Sequence, residues 1–177
     1  MEKKRLKANV SALVLDHERL LHTSPSTEVL DLACGCGRNG LWFAEQGAKV
    51  TFIDQDISRL PSLPENCHAR SQNLENDGQQ HLPTAQFDIV LVFNYLHRPL
   101  FGQIAQAIKP GGLLIYETFT TTQATVGRPK NPHFLLTANE LLNRFNQFEP
   151  LHYFEGNVGC ELAPCFKAQM IAKKTLR

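Results

Sequence analysis

Val29-Leu30-Asp31-Leu32-Ala33-Cys34-Gly35-Cys36-Gly37-Arg38-Asn39-Gly40 joins an apolar run to a glycine-rich loop, and that junction defines the fold class. It opens inside a short apolar run, Glu28 to Ala33, suited to a strand buried on both faces. Gly35 to Gly40 is a literal G-x-G-x-x-G, and it leads into a helical stretch over Gly37 to Gln46. Leu41, Trp42 and Ala44 are available for packing there, and Gly47 is placed to cap the end. A second strand, Lys49 to Ile53, ends on Asp54, at about the spacing expected of an acid that binds a ribose.

Downstream, Ile57 to Leu60 forms a short helical turn before Pro61 and Pro64, and Cys67 to Ser71 forms a third strand. The clearest strand is Phe87 to Phe93. Leu100, Phe101, Ile104, Ala105 and Ile108 then recur at helical spacing until Pro110-Gly111-Gly112 stops the helix. Leu113 to Tyr116 is the next strand. The polar connection over residues 118–134 is long for a compact domain, which makes it a candidate lid. Thr137-Ala138-Asn139-Glu140 has the pattern of a capping box, opening a helix with Leu141, Leu142 and Phe145. Strands over about Leu151 to Glu155 and Cys165 to Ala172 leave no room for a helix between them, so they pair antiparallel. Upstream, Leu6, Val10, Leu13, Leu20 and Leu21 predict a leading helix or cap within residues 1–25, broken at Ser24-Pro25-Ser26. The expectation is one α/β domain over residues 1–177. Five βα-type units and a terminal hairpin give an open, mostly parallel sheet with helices on both faces.

The bulk numbers narrow the function. A chain of 177 residues with 42% hydrophobic and 20% charged residues is ordinary for a globular domain. Its net charge of +1 gives no electrostatic reason to expect nucleic acid or a membrane as partner. Lys3, Lys4, Arg5 and Lys7 read as a solvated end. No apolar run approaches a membrane span and no signal-peptide core follows Met1, so a cytoplasmic location is expected. Cys34, Cys36, Cys67, Cys160 and Cys165 form no CxxC pair, and no metal is assigned.

Asp31 separates two readings of the glycine loop. A dinucleotide sets its pyrophosphate against such a loop, where an acid just ahead of it repels the phosphates. S-adenosylmethionine has no phosphate and brings an ammonium and a sulfonium, both of which an acid favours. The bland alternative is that Asp31 merely caps the adjoining turn.

Asp31-Leu32-Ala33-Cys34-Gly35-Cys36-Gly37 resembles the first motif of the class I S-adenosylmethionine-dependent methyltransferases, with Ala33 where the family usually has glycine. Phe52-Ile53-Asp54 resembles the second motif, Phe87-Asp88-Ile89-Val90 the fourth, and Ile108-Lys109-Pro110-Gly111-Gly112-Leu113-Leu114 the fifth. The resemblance implies a Rossmann-like three-layer sandwich: an α/β fold with a mostly parallel seven-stranded sheet ending in an antiparallel hairpin. It implies S-adenosylmethionine as cofactor. Asp31 and the Gly35/Gly37 loop then hold the methionine end, Asp54 the ribose, Asn73 and Leu74 contact the adenine, Asn94 faces the methyl group, and Ala33 and Gln55 complete the cofactor-binding set. Asn73 stands where the family often has an acid.

The acceptor is expected beyond the carboxyl ends of the strands. Candidates for catalysis are Asn94, His97 and Arg98; candidates for substrate contact are Tyr95, Glu117 and Arg128. Lys130, Asn131 and His133 join Arg128 in the lid segment, and Arg98, Arg128 and Lys130 make the mouth locally basic. His97 reads equally as a general base or as a hydrogen-bonded structural histidine. The segments Asn94 to Leu100 and Gly127 to Pro132 also resemble small bacterial methyltransferases of the tellurite-resistance type. A small anionic or polarisable acceptor and in-line transfer are therefore expected. The rival readings are a nicotinamide-dependent oxidoreductase and a non-catalytic S-adenosylmethionine-binding module.

Overall fold

The apolar runs become the strands of one sheet, described from a computed structural model covering residues 10–76, 79 and 81–176. In chain order the strands are β1 (Glu28–Leu32), β2 (Lys49–Asp54), β3 (Cys67–Ser71), β4 (Phe87–Phe93), β5 (Ile108–Phe119), β6 (Phe148–Asn157) and β7 (Phe166–Lys174). They form a seven-stranded sheet in the order β3-β2-β1-β4-β5-β7-β6. The first five are mutually parallel, and β7 inserts antiparallel between β5 and β6. This is the expected Rossmann-like topology with its terminal hairpin.

The helices are α1 (Ala12–Asp16), α2 (Arg38–Glu45), α3 (Phe101–Ala107), α4 (Gln123–Val126) and α5 (Glu140–Arg144). Strand alternation sorts the core into two layers. Leu30, Leu32, Val90, Val92, Leu114 and Tyr116 face α3 and α5, where Phe101, Ile104, Leu141 and Phe145 pack. Val29, Ile89, Leu91 and Ile115 face the other way, against Leu13, Val14, Leu41, Trp42 and Phe43 of α1 and α2. Asp31, Glu117, Lys167 and Gln169 stand in phase with this second set, so their polar ends lie in or beside an apolar layer. That placement governs their chemistry below.

Several expectations are corrected. The described part of the leading segment is helical only over Ala12–Asp16, followed by a 3₁₀ turn at Glu18–Leu20. Ser11 caps its start, accepting the Leu13 N–H at 3.3 Å, and His17 Nδ1 donates to the Leu13 carbonyl at 3.0 Å, taking the acceptor that a longer helix would use. Leu6 and the basic cluster Lys3, Lys4, Arg5 and Lys7 lie outside the described residues. A helix joins β1 to β2 and β4 to β5, but only a 3₁₀ turn at Ile57–Arg59 joins β2 to β3, where Pro61 and Pro64 follow. Among the described residues no helix joins β3 to β4.

Pro110-Gly111-Gly112 does not simply stop α3. The strand starts earlier, at Ile108, and the three residues form an irregularity in β5 with Gly111 at φ +78°. Thr118 and Phe119 of the 118–134 connection belong to β5, and Thr120 bridges to Leu136. Gln123 is buried, its Oε1 accepting the Phe166 N–H at 2.7 Å while its Nε2 donates to the Arg128 carbonyl at 3.0 Å. The capping box forms only in part: Glu140 Oε2 accepts from the Thr137 N–H at 3.0 Å, but α5 starts at Glu140, after a left-handed Asn139. No helix among the described residues is long and apolar enough to cross a membrane.

Candidate functional site

The turn after β1 is built from left-handed backbone, which glycine adopts freely and Ala33 only under strain. Ala33 (φ 53°), Gly35 (φ 55°) and Gly37 (φ 72°) reverse the chain in quick succession. Gly37 has a second requirement, since a Cβ there would meet Leu60 Cδ2 at 2.6 Å. Gly40, already inside α2, packs so closely on β1 and β2 that a Cβ would lie 2.5 Å from Phe52 and 2.7 Å from Asp31 Oδ2. The glycines thus set both the turn and the approach of the helix to the sheet.

Asp31 is 3% exposed, and its Oδ2 accepts the Gly40 N–H at 2.9 Å in the first turn of α2. Burial pushes its carboxyl up to about 7, with nearby Asp54 adding to the rise, while the Gly40 bond and Arg38 partly offset them. The carboxylate lies beneath the glycine loop and does not line the cleft. The bland alternative, a cap on the adjoining turn, describes its contacts.

The cleft lies past the carboxyl ends of β1, β2, β3 and β4. Ala33, Asp54, Gln55, Asn73, Leu74, Asn94 and Tyr95 line it, together with Gln72 and Glu75. Four separate strand ends therefore bring the expected ribose, adenine and methyl positions to one cavity. Asp54 is steadied by backbone: Gly35 N–H donates to its Oδ2 at 2.8 Å and Asp56 N–H to its Oδ1 at 3.0 Å. Each oxygen keeps a further lone-pair direction for a hydroxyl. The wall carrying Asn73 is fixed by His81, which is buried and bonds to Gln72 Nε2 at 2.8 Å and to the Asn76 carbonyl at 2.9 Å. Gln72 Nε2 only donates, so Nδ1 accepts and His81 carries its proton on Nε2.

Tyr95 is pinned by its carbonyl, which accepts the Tyr116 hydroxyl at 3.0 Å. Its own hydroxyl is buried and meets no hydrogen-bond partner among the described residues. Burial raises the Tyr95 pKa, and the Glu75 and Asp54 carboxylates raise it further.

Other expected site residues lie elsewhere. Arg98 makes a two-pronged ion pair with Glu140 (Nε–Oε1 2.7 Å, Nη2–Oε2 2.9 Å) and donates to the carbonyls of His133 and Leu135. It therefore clamps the segment before α5 rather than lining the cleft. The ion pair and the bonds from Thr137 hold the Glu140 carboxyl below its usual range against the opposing effect of burial. His97 sits at the start of the 3₁₀ turn Arg98–Leu100 and outside the cleft lining. Arg128, Lys130, Asn131 and His133 are exposed. Glu117 is buried behind the cleft rather than in it.

Around Glu117 lies a polar cluster that the sequence did not single out. Its carboxylate accepts from Lys167 Nζ at 2.9 Å, Gln169 Nε2 at 2.7 Å and Ser11 Oγ at 3.2 Å. Lys167 Nζ also donates to Asn94 Oδ1 at 2.7 Å and stands 4.9 Å above the centre of the Phe119 ring. Ser11 N–H donates to Asn39 Oδ1 at 2.9 Å, tying the leading segment to α2. Lys167 and Gln169 alternate within a strand next to β5, a signal visible only once β7 is known to pair there. Among the described residues, no group of His, Cys, Asp and Glu side chains has the arrangement of a metal site.

Residues 29–112 match the family model described as a methyltransferase domain. No curated protein matches the sequence. Among solved structures, an S-adenosylmethionine-dependent methyltransferase from Methanosarcina mazei is 16% identical with a TM-score of 0.67, the match covering 90% of this chain and 98% of that one. TehB from Haemophilus influenzae is 20% identical with a TM-score of 0.73, covering 94% of this chain and 63% of that one. A 1,6-didemethyltoxoflavin N1-methyltransferase from Burkholderia thailandensis, solved with S-adenosylhomocysteine, is 20% identical with a TM-score of 0.64, covering 98% and 83%. At such identities the likeness is one of fold. Residues 29–112 are thus similar to a methyltransferase domain, and the chain shares the fold of these S-adenosylmethionine-dependent methyltransferases.

Proposed function

We propose that the cleft binds S-adenosylmethionine and that the protein passes its methyl group to a small acceptor, anionic or polarisable, by in-line displacement. The observation that carries this reading is the convergence of Asp54, Asn73, Leu74, Ala33 and Asn94 from four strand ends on one cavity. Asp54 accepts the ribose hydroxyls, Asn73 and Leu74 border the adenine, and the left-handed turn at Ala33 to Gly37 brings the backbone close to the methionine end. Where Asp31 is ionised, its charge beneath that loop opposes the pyrophosphate of a nicotinamide dinucleotide, which disfavours the oxidoreductase reading.

When bound, S-adenosylmethionine supplies a methyl carbon already activated by a positive sulfur. The chain's own work is then to align the acceptor with that carbon and to exclude water. Exposed Arg128 and Lys130 give the 118–134 segment a positive outer face, which favours a negatively charged acceptor, and this segment is proposed as the lid over the site. All five cysteines are free thiols, in keeping with a reducing, cytoplasmic setting. The test is an acceptor panel: S-adenosylhomocysteine release measured with selenite, tellurite, small thiols and catechols. Turnover with the first three groups is expected; activity confined to large neutral acceptors contradicts the acceptor class.

A further inference from the structure

We infer that Lys167 is a positioning residue that fixes Asn94 as a hydrogen-bond donor at the acceptor end of the cleft. The argument starts from an asymmetry of chemistry. An asparagine amide has one accepting end and one donating end of nearly equal shape, and either can face a neighbour. A lysine ammonium only donates. At 2.7 Å from Lys167 Nζ, the Asn94 atom must be the oxygen. The amide NH2 is thereby turned away from the lysine, and Asn94 lines the cleft.

The arrangement is held on every side. Lys167 is 8% exposed, and its charge is balanced by Glu117 at 2.9 Å. Glu117 is locked in turn by Gln169 and Ser11. Asn94 itself has a left-handed backbone, φ 55°, and its N–H donates to the Glu117 carbonyl at 2.8 Å. Side chain and main chain of the same residue are thus anchored to the ends of β5 and β7, and the free choice left to the amide is removed by the lysine.

This rests on the reading of the cleft as an S-adenosylmethionine site. A fixed donor there offers no carbonyl to a sulfonium and instead meets lone pairs of the incoming acceptor, so an oxyanion or thiolate is selected over an ammonium. Releasing Asn94 would let its carbonyl turn toward the positive sulfur. The consequence is measurable without knowing the acceptor, because S-adenosylmethionine carries the sulfonium and S-adenosylhomocysteine does not.

The experiment is calorimetric titration of both compounds into the wild type, Lys167→Met and the double variant Glu117→Gln/Lys167→Met. The double variant leaves no buried charge unpaired and keeps the test available if the single variant does not fold. Affinity for S-adenosylhomocysteine should stay within about twofold, while preference for S-adenosylmethionine over it should rise by about fivefold, the scale of one hydrogen-bond-sized interaction. A merely structural lysine would weaken both compounds together. An unchanged ratio in folded variants, or a parallel loss of both affinities, overturns the inference and leaves the cofactor reading intact. A wild type that binds neither compound overturns the cofactor reading, and the inference falls with it.

Discussion

Replacing Asp31 by asparagine turns the cost of burying this carboxylate into a measurable pH dependence. Asp31 is raised from 3.8 to about 7 in the folded chain, chiefly by burial. Between those values the folded chain holds a proton that the unfolded chain has released. The associated stability is therefore fully present on the acid side, below 3.8, and is lost as pH rises through about 7. At about 1.4 kcal/mol for each pH unit, ionised Asp31 costs the folded state about 4 kcal/mol once fully developed. The amide of Asp31→Asn keeps the shape and the oxygen that accepts the Gly40 N–H but never ionises. In urea unfolding followed by circular dichroism, the stability of Asp31→Asn relative to the wild type should rise by about 2 to 3 kcal/mol between pH 5 and pH 8. Groups common to both proteins cancel in that difference. A difference that does not change with pH, or that falls as pH rises, refutes the claim that burial has raised Asp31 toward neutrality.

Other outcomes follow from single positions. Ala33→Gly removes a Cβ from left-handed backbone and should stabilise the chain by about 0.5 kcal/mol after the added freedom of the unfolded state is counted; a lowered melting temperature contradicts this. Gly40→Ala places a methyl group 2.5 Å from the Phe52 ring and should destabilise by about 2 kcal/mol in the same unfolding assay, whereas wild-type stability would show that the helix can retreat from the sheet at no cost. Arg98→Ala leaves Glu140 buried without its cation and should cost about 2 kcal/mol; an unchanged melting temperature would show that the clamp is dispensable.

The parts of the fold that sequence disclosed are those set by local apolar pattern. β1, β2 and β4 are runs buried on both faces, and Asp54 and Asn73-Leu74 sit at or just past strand ends, so the cleft they line follows from the order of the units. What stayed hidden depends on pairings remote in the chain. Lys167 meets Asn94 because β7 turns back beside β5, and nothing near Lys167 in sequence points to that partner. In sequence Arg98 has the look of a mouth cation because its ion-pair partner, Glu140, carries the local signature of a helix cap. Glu117 follows an apolar strand and looked free to reach substrate, but its alternation turns it toward the leading segment and Ser11. Asp31, ahead of the glycine loop, points to the cofactor class by its charge in the sequence, while its direct contact in the structure, the Gly40 N–H, is one within the fold.

The most direct measurement is calorimetry of S-adenosylhomocysteine with the wild type and Asp54→Ala, with NADH titrated in parallel. Asp54 lines the cleft with both oxygens already steadied by backbone N–H groups, so removing it takes away a charged acceptor for ribose hydroxyls. The account predicts binding by the wild type, a loss of about tenfold or more in Asp54→Ala, and no binding of NADH. Full affinity in Asp54→Ala, or binding of NADH in place of S-adenosylhomocysteine, would contradict it.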